Sequence, residues 1–194
     1  MVKKVLLLAV LALALPMAAF ADSSIDITNR GGTLSGNASG LSLTGSTLIS
    51  YGSAVGSNLG SLTFTTGAFT SGNAQAGGTL AAGGSFVITG NGTNGVPNGV
   101  VFSGTFTSPV SWNLVTLGNG THNYTLSGGL VSATGQVGAT VQLTVNTGKG
   151  FFNGSTTLSS GDTNLSVPEP GTLSLFGTGL IGLAGVIRRK LSLS

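Results

Sequence analysis

Through the middle of the chain, apolar and polar residues alternate with a period of two. The clearest stretch is GATVQLTVNTG, where Ala139, Val141, Leu143 and Val145 fall on one side and Thr140, Gln142, Thr144 and Asn146 on the other. Successive side chains of a β-strand point to opposite faces, so this pattern predicts a strand with one buried face. The same alternation joins Ile25 with Ile27, Leu41 with Leu43, Leu62 with Phe64, Phe102 with Phe106, and Val110 with Trp112 and Leu114. SFVITG is a short continuous apolar run and predicts a more buried strand. Trp112 lies in a strongly apolar strand and is assigned to the core. Between these segments stand Asn91-Gly92, Asn94-Gly95, Asn98-Gly99, Asn119-Gly120 and Asn153-Gly154. Both residue types tolerate the positive φ that tight hairpin turns require.

No stretch between Asp22 and Val167 has the 3.6-residue apolar stripe of a helix. The expectation is an all-β domain over residues 22–166: an antiparallel β-sandwich with Gly/Asn-rich turns, with a β-helix as the alternative. Gly67 to Gly84, rich in glycine and alanine, is expected to be its softest part, and YGSAVGSNLGSL reads as a loop.

The two ends follow different rules. MVKKVLLLAVLALALPMAAFADSS opens with Lys3 and Lys4, continues through the apolar run Val5 to Leu15, and places Ala19 and Ala21 in the small-x-small arrangement that signal peptidase cleaves. Residues 1–21 are therefore expected to be a signal peptide. Near the other end, Pro168, Glu169 and Pro170 precede the sixteen-residue apolar run Thr172 to Ile187, which Arg188, Arg189 and Lys190 close. As a helix that run spans roughly 24 Å at about 1.5 Å per residue, short of a hydrocarbon core of about 30 Å. It predicts a transmembrane helix suited to temporary anchorage, with the basic block held on the cytoplasmic side.

The proline pair, apolar run and terminal basic stop resemble the PEP-CTERM sorting signal of Gram-negative bacteria, here over residues 167–194. The resemblance implies recognition and processing by a membrane-embedded exosortase, and association with exopolysaccharide and the cell surface or biofilm matrix. FSGTFTSPVSWNLVTLGNGTHNYTLSGGLV and GATVQLTVNTGKGFFNGSTTLSSGDTN are likewise similar to uncharacterised PEP-CTERM proteins, which implies no activity.

Composition narrows the chemistry. Charged residues make up 6% of the chain, against about 25% in ordinary soluble proteins. Five of the seven bases lie at the ends, leaving Arg30 and Lys149 against Asp22, Asp26 and Asp162 in the middle. No basic patch remains for phosphates, so nucleic acid is not an expected partner. There is no cysteine, and stability must come from a hydrophobic core.

Several candidate sites carry little. GNGTNG matches a dinucleotide-binding pattern at Gly90, Gly92 and Gly95, but Val96-Pro97 follows where a helix is needed, so the glycines read as turns. His122, the one histidine, falls in phase with Tyr124 and Leu126 and is expected to be structural or on the surface. Asp22, Asp26 and Asp162 are too few and too dispersed for a calcium loop. Six N-x-[ST] sequons, at Asn37, Asn91, Asn119, Asn123, Asn153 and Asn164, are unremarkable in so Asn/Ser/Thr-rich a sequence. No catalytic residue, metal site or cofactor is expected. The chain is expected to be a non-enzymatic structural protein, exported through the inner membrane to the cell surface or extracellular matrix. Its alternative role is a carbohydrate- or protein-binding module of that matrix.

Overall fold

The computed structural model describes residues 23–107, 109–133 and 138–167. The expected signal segment with Ala19 and Ala21, the motif Pro168-Glu169-Pro170, the helix 172–187 and the basic block Arg188-Arg189-Lys190 lie outside the described residues.

The alternating segments all form strands. β1 (Ser23–Arg30) and β2 (Thr33–Asn37) lead to the long β3 (Gly40–Tyr51), whose end pairs with the short β4 (Ala54–Val55). Next come β5 (Gly60–Thr65) and β6 (Phe69–Asn73), then β7 (Gly77–Leu80) and β8 (Gly83–Asn91). β9 (Asn98–Phe106) and β10 (Val110–Thr116) precede β11 (His122–Ser132), β12 (Gly138–Asn146), β13 (Ser155–Thr157) and β14 (Ser160–Val167).

Pairing reduces these to fewer, longer ribbons. β1 and β2 both lie along β3, meeting its second and first halves respectively. β5 pairs with β8 while β6 pairs with β7, and β9 pairs with β8 while β10 pairs with β7. β13 continues β14, pairing with β2 where β14 neighbours β1. β1–β2, β5–β6, β7–β8, β9–β10 and β13–β14 are thus bent single ribbons. With β3, β11 and β12 they make an up-and-down meander in chain order. Its last ribbon lies against its first, closing an eight-stranded antiparallel barrel.

This barrel replaces the expected sandwich, and its antiparallel pairing also removes the β-helix alternative. Alternation looks the same in both architectures. The distinction lies in the edges, because a sandwich leaves each sheet two free edges and a closed barrel leaves none. The ribbons bend where glycine permits it. At Gly31 and Gly32 φ is +67° and +80°, and a Cβ on Gly32 would lie 2.5 Å from the Ser46 nitrogen. A bulge at Gly45 (φ +69°) shifts the phase of β3, so that Leu41 and Leu43 face inward before it and Ser46 and Leu48 after it. Gly67 to Gly84, expected to be soft, holds the β6–β7 hairpin. SFVITG alternates, with Phe86 and Ile88 inside and Val87 half-buried.

Side chains fill the interior. Phe64, Phe86, Phe102 and Phe106 pack together, with Phe86 edge-on to Phe106 at 5.7 Å and stacked on Phe64 at 6.0 Å. Such pairs add about 0.5–1.5 kcal/mol each beyond the area they bury. Leu62, Ile88, Leu126, Leu143 and Val145 are fully buried around them. One polar contact sits inside the wall, where Asn29 Nδ2 donates to Ser46 Oγ at 2.7 Å and that hydroxyl donates to the Arg30 carbonyl. The outward positions are polar, as at Ser103, Thr105, Thr140 and Gln142. A membrane-spanning barrel shows the opposite pattern, with apolar residues facing out. Among the described residues no helix is long and apolar enough to cross a membrane.

Eight antiparallel ribbons return the chain to the end where it started. Ser23 and Val167 therefore lie at one end of the barrel, together with the loops 52–59 and 92–97. The opposite end carries the turns after β2, β6 and β10 and the loop after β12.

Two outcomes follow for stability. Phe86→Ala is expected to lower the unfolding free energy by about 3–5 kcal/mol, measured by denaturant titration. Burial raises the Tyr51 pKa above its ordinary value of 10.0. The unfolded chain then ionises first, so Tyr51's contribution is complete below pH 10 and is lost as pH rises beyond it. A Tyr51→Phe variant should show a smaller loss over that alkaline range.

Candidate functional site

At the turn-bearing end, three indole, phenol and phenyl rings close the barrel. Trp112 on β10 and Tyr124 on β11 stack at 5.1 Å, and Phe152 from the loop after β12 meets both edge-on, at 5.9 and 6.0 Å. Their polar atoms are turned to backbone. Trp112 Nε1 donates to the Ala74 carbonyl at 2.8 Å, and Tyr124 Oη donates to the Gln75 carbonyl at 2.6 Å. Tyr124 Oη also accepts the Phe152 N–H at 3.0 Å. Burying an indole or phenol requires a partner for its polar tip, and here both partners lie on the β6–β7 turn. That turn is thereby drawn towards the aromatic group.

Each turn is also shaped locally. Asn73 Oδ1 accepts the N–H groups of Gln75 and Ala76, at 2.9 and 2.8 Å. Asn37 Oδ1 accepts the Ser39 N–H at 2.8 Å in the turn between β2 and β3. Asparagine favours turns because its side chain substitutes for a backbone acceptor in this way. Two backbone bonds join the pieces, Gly36 N–H to Gly154 C=O at 2.9 Å and Phe69 N–H to Ala38 C=O at 3.4 Å.

Between these segments lies an open cleft of about 300 Å³, lined by Asn37, Asn73, Gln75, Asn153 and Phe152 with neighbouring alanine and glycine. Its polar side chains are all amides. Asn37 and Asn73 spend their oxygens on their own turns, and their NH2 groups make no hydrogen bond among the described residues. The side chains of Gln75 and Asn153 make no hydrogen bond among the described residues. An amide offers both donor and acceptor, the complement of a hydroxyl or another amide. None of the lining side chains carries a charge, so the polar groups they offer suit a neutral polar ligand.

A second, less open cleft of about 380 Å³ lies on the barrel wall, lined by Asp26, Gln142, Asp162 and Asn164 among others. Gln142 faces Asp162 across β12 and β14, and Thr140 faces Asn164. The structure thus brings Asp26 and Asp162 to one surface, while Asp22 lies outside the described residues. Among the described residues, no three His, Cys, Asp or Glu side chains come together to hold a metal ion.

The remaining candidates settle into structural positions. His122 is buried in phase with Tyr124 and Leu126. Its Nδ1 is hydrogen-bonded to Thr116 Oγ1 at 2.9 Å, and its ring stacks on Phe151 at 4.1 Å. GNGTNG ends β8 and turns into β9, a strand–loop–strand connection with no helix for a phosphate. Trp112 is core, as its apolar strand implies.

Comparison with known families adds one finding. Residues 166–190 match the PEP-CTERM protein-sorting motif. The chain carries a PEP-CTERM sorting signal. The motif marks this PEP-CTERM domain-containing protein for export, for an exosortase and for association with the cell surface. No curated protein and no solved structure matches the chain. The match begins at Ser166, which still pairs with Gly138 in β12, so the signal starts on the last strand of the barrel. Val167 precedes Pro168, and a residue before proline is biased to the extended region, as a strand end requires.

The sequence marks Asn37 as a sequon and Asn153 as a sequon and an Asn-Gly turn, but gives no sign of Asn73 or Gln75. No local signal marks those two as neighbours of Asn153, because the barrel closure brings them together.

Tyr124→Phe removes one donor and one acceptor at the aromatic group. It should cost about 1–3 kcal/mol, read by denaturant titration, with faster hydrogen exchange at the Phe152 amide.

Proposed function

We propose that the exported barrel is a non-enzymatic structural component of an extracellular matrix, where it associates with exopolysaccharide after processing of its C-terminal signal. The observation that carries this reading is the chemistry of the outer wall. Exposed hydroxyls pair across strands, Thr65 Oγ1 with Ser85 Oγ at 3.0 Å and Ser71 Oγ with Thr79 Oγ1 at 2.7 Å. Ser111 and Ser127 repeat the arrangement, half-buried, at 3.0 Å. A wall of neutral hydroxyls, with few charges to impose a strong field, suits many weak contacts along a hydrated polysaccharide. Multivalency then supplies the affinity that single contacts lack. Support for a non-enzymatic role comes from His122, whose hydrogen-bonding partner is a threonine hydroxyl and not a carboxylate.

A specific observation favours a second reading, a binding module for one glycan. The amide-lined cleft is braced by the Trp112–Tyr124–Phe152 group, and such bracing reduces the ordering cost of binding. It lies at the end of the barrel opposite Val167.

Processing is tested by intact mass and terminal peptides from hosts with and without their exosortase. Loss of the residues beyond the PEP motif in the first and retention of the full tail in the second is expected. Identical tails in both would remove the sorting role. The two ligand readings separate on a glycan array probed with the exported protein. The structural reading expects weak, broad retention that Gln75→Ala and Asn153→Ala leave unchanged. The module reading expects one glycan class and a loss of about 1 kcal/mol per deleted hydrogen bond, roughly five-fold in Kd.

A further inference from the structure

The sequence contains five Asn-Gly pairs, and the fold treats them differently. Asn91 is tied at both ends of its amide: Nδ2 donates to the Asn58 carbonyl at 2.8 Å, and Oδ1 accepts from the Thr93 hydroxyl at 2.6 Å and the Thr93 N–H at 3.1 Å. Asn119 Oδ1 accepts the Thr121 N–H at 3.0 Å, and the following Gly120 N–H is spent on the Leu117 carbonyl at 2.9 Å. Asn94 is held in the left-handed region (φ +52°), with its Nδ2 directed at the Val55 carbonyl at 3.4 Å. Asn98 lies within β9 opposite Asn91, and Gly99 lies opposite Gly90 in the same ladder. Asn98 is likewise exposed with an unbonded amide, but its backbone is held in the β8–β9 ladder. Asn153 stands outside every strand and is exposed, its amide makes no hydrogen bond among the described residues, and the Gly154 N–H has no acceptor among them. A Cβ built on Gly154 would meet nothing within 4 Å, as at Gly95, Gly99 and Gly120, so the pair is set apart by its unheld backbone and amide and not by open space.

We propose that Asn153 is a site of spontaneous covalent modification, deamidating through a cyclic imide with Gly154 and placing a carboxylate at the lip of the amide-lined cleft. Base from solvent removes the Gly154 amide proton, and that nitrogen attacks Asn153 Cγ. The N–Cγ bond forms, the Cγ–Nδ2 bond breaks, and ammonia leaves with a proton from solvent. Water then opens the ring at either carbonyl, giving aspartate or isoaspartate, with no oxidation or reduction. Glycine favours the step because it has no side chain to obstruct the ring. The four other pairs are slower because their amides, their following N–H groups or their backbones are held by the fold. Either product adds negative charge to a cleft whose lining is neutral. The isoaspartate form also lengthens the backbone immediately before Gly154, whose carbonyl receives the Gly36 N–H. The cleft therefore changes with the age of the molecule, whatever it binds.

The test ages the purified protein in its native state at neutral and mildly alkaline pH and maps asparagine, aspartate and isoaspartate at all five pairs by peptide mass spectrometry. A parallel sample is aged in denaturant. In the native protein Asn153 is expected to convert several-fold faster than Asn91 or Asn119, and faster at higher pH. In denaturant the five rates should converge, since their local sequences share the Asn-Gly step. Asn153→Gln should remove the leading product while leaving the other four rates unchanged, which also shows that the variant is folded. Conversion at another pair ahead of Asn153, no conversion at Asn153 in the native state, or the same ranking with and without denaturant would each overturn the proposal.

Discussion

The structure depends on one contact, the seam where the last ribbon, β13–β14, lies against the first, β1–β2. Without it the meander is an open sheet with two long edges of unpaired backbone groups. This chain has little else with which to protect such edges, because charged side chains and prolines, the usual guards of an exposed strand, are almost absent from it. Closing the sheet satisfies the edge backbone and encloses the apolar faces of all eight ribbons in one step. The seam spans the greatest sequence separation in the fold, so its loop-closure entropy is offset only when both partners are in place. Gly31 and Gly32 belong to the same requirement, since the first ribbon must bend there to follow the last along its length.

The aromatic group at the turn-bearing end shows how packing and polarity are coupled. Trp112 and Tyr124 contribute apolar area to the interior while their polar tips take carbonyls from the β6–β7 turn. The turn therefore has a fixed position without a charge, a disulfide or a metal. A cleft bordered by such a turn is pre-organised, and its chemistry comes from Asn37 and Asn73, whose oxygens shape their own turns, beside the amides of Gln75 and Asn153. Residues chosen for turn formation become, once the barrel closes, the lining of a neutral polar groove.

A surface of hydroxyls and amides has consequences beyond binding. It interacts weakly with many partners, tolerates changes in ionic strength because few charges are there to be screened, and presents asparagine to water at several turns. Hydrogen bonding holds Asn91 and Asn119 in their turns and a strand ladder holds Asn98, whereas Asn153 has neither, where the β12–β13 loop skirts the cleft.

Strand identity was legible in the sequence. Leu143, Phe64 and Trp112 are buried because an alternating pattern allows only one face to be wet, and four of the five Asn-Gly pairs fall at turns or loops, while Asn98-Gly99 opens β9 instead. The sorting signal was legible for the same reason: its prolines, apolar run and basic stop act through local chemistry and need no partner elsewhere in the chain. The pairing of the strands was not legible. Alternation is identical in a sandwich and a barrel, and the Gly45 bulge that turns Leu48 inward leaves no mark in the pattern of β3 alone. Nor could the cleft be read, since Asn37, Asn73, Gln75 and Asn153 belong to three separate turns. Local residue chemistry determined which segments are strands, turns and signals. Only tertiary structure decided which edges meet, because that choice is made by the closure of the whole sheet and not by any segment within it.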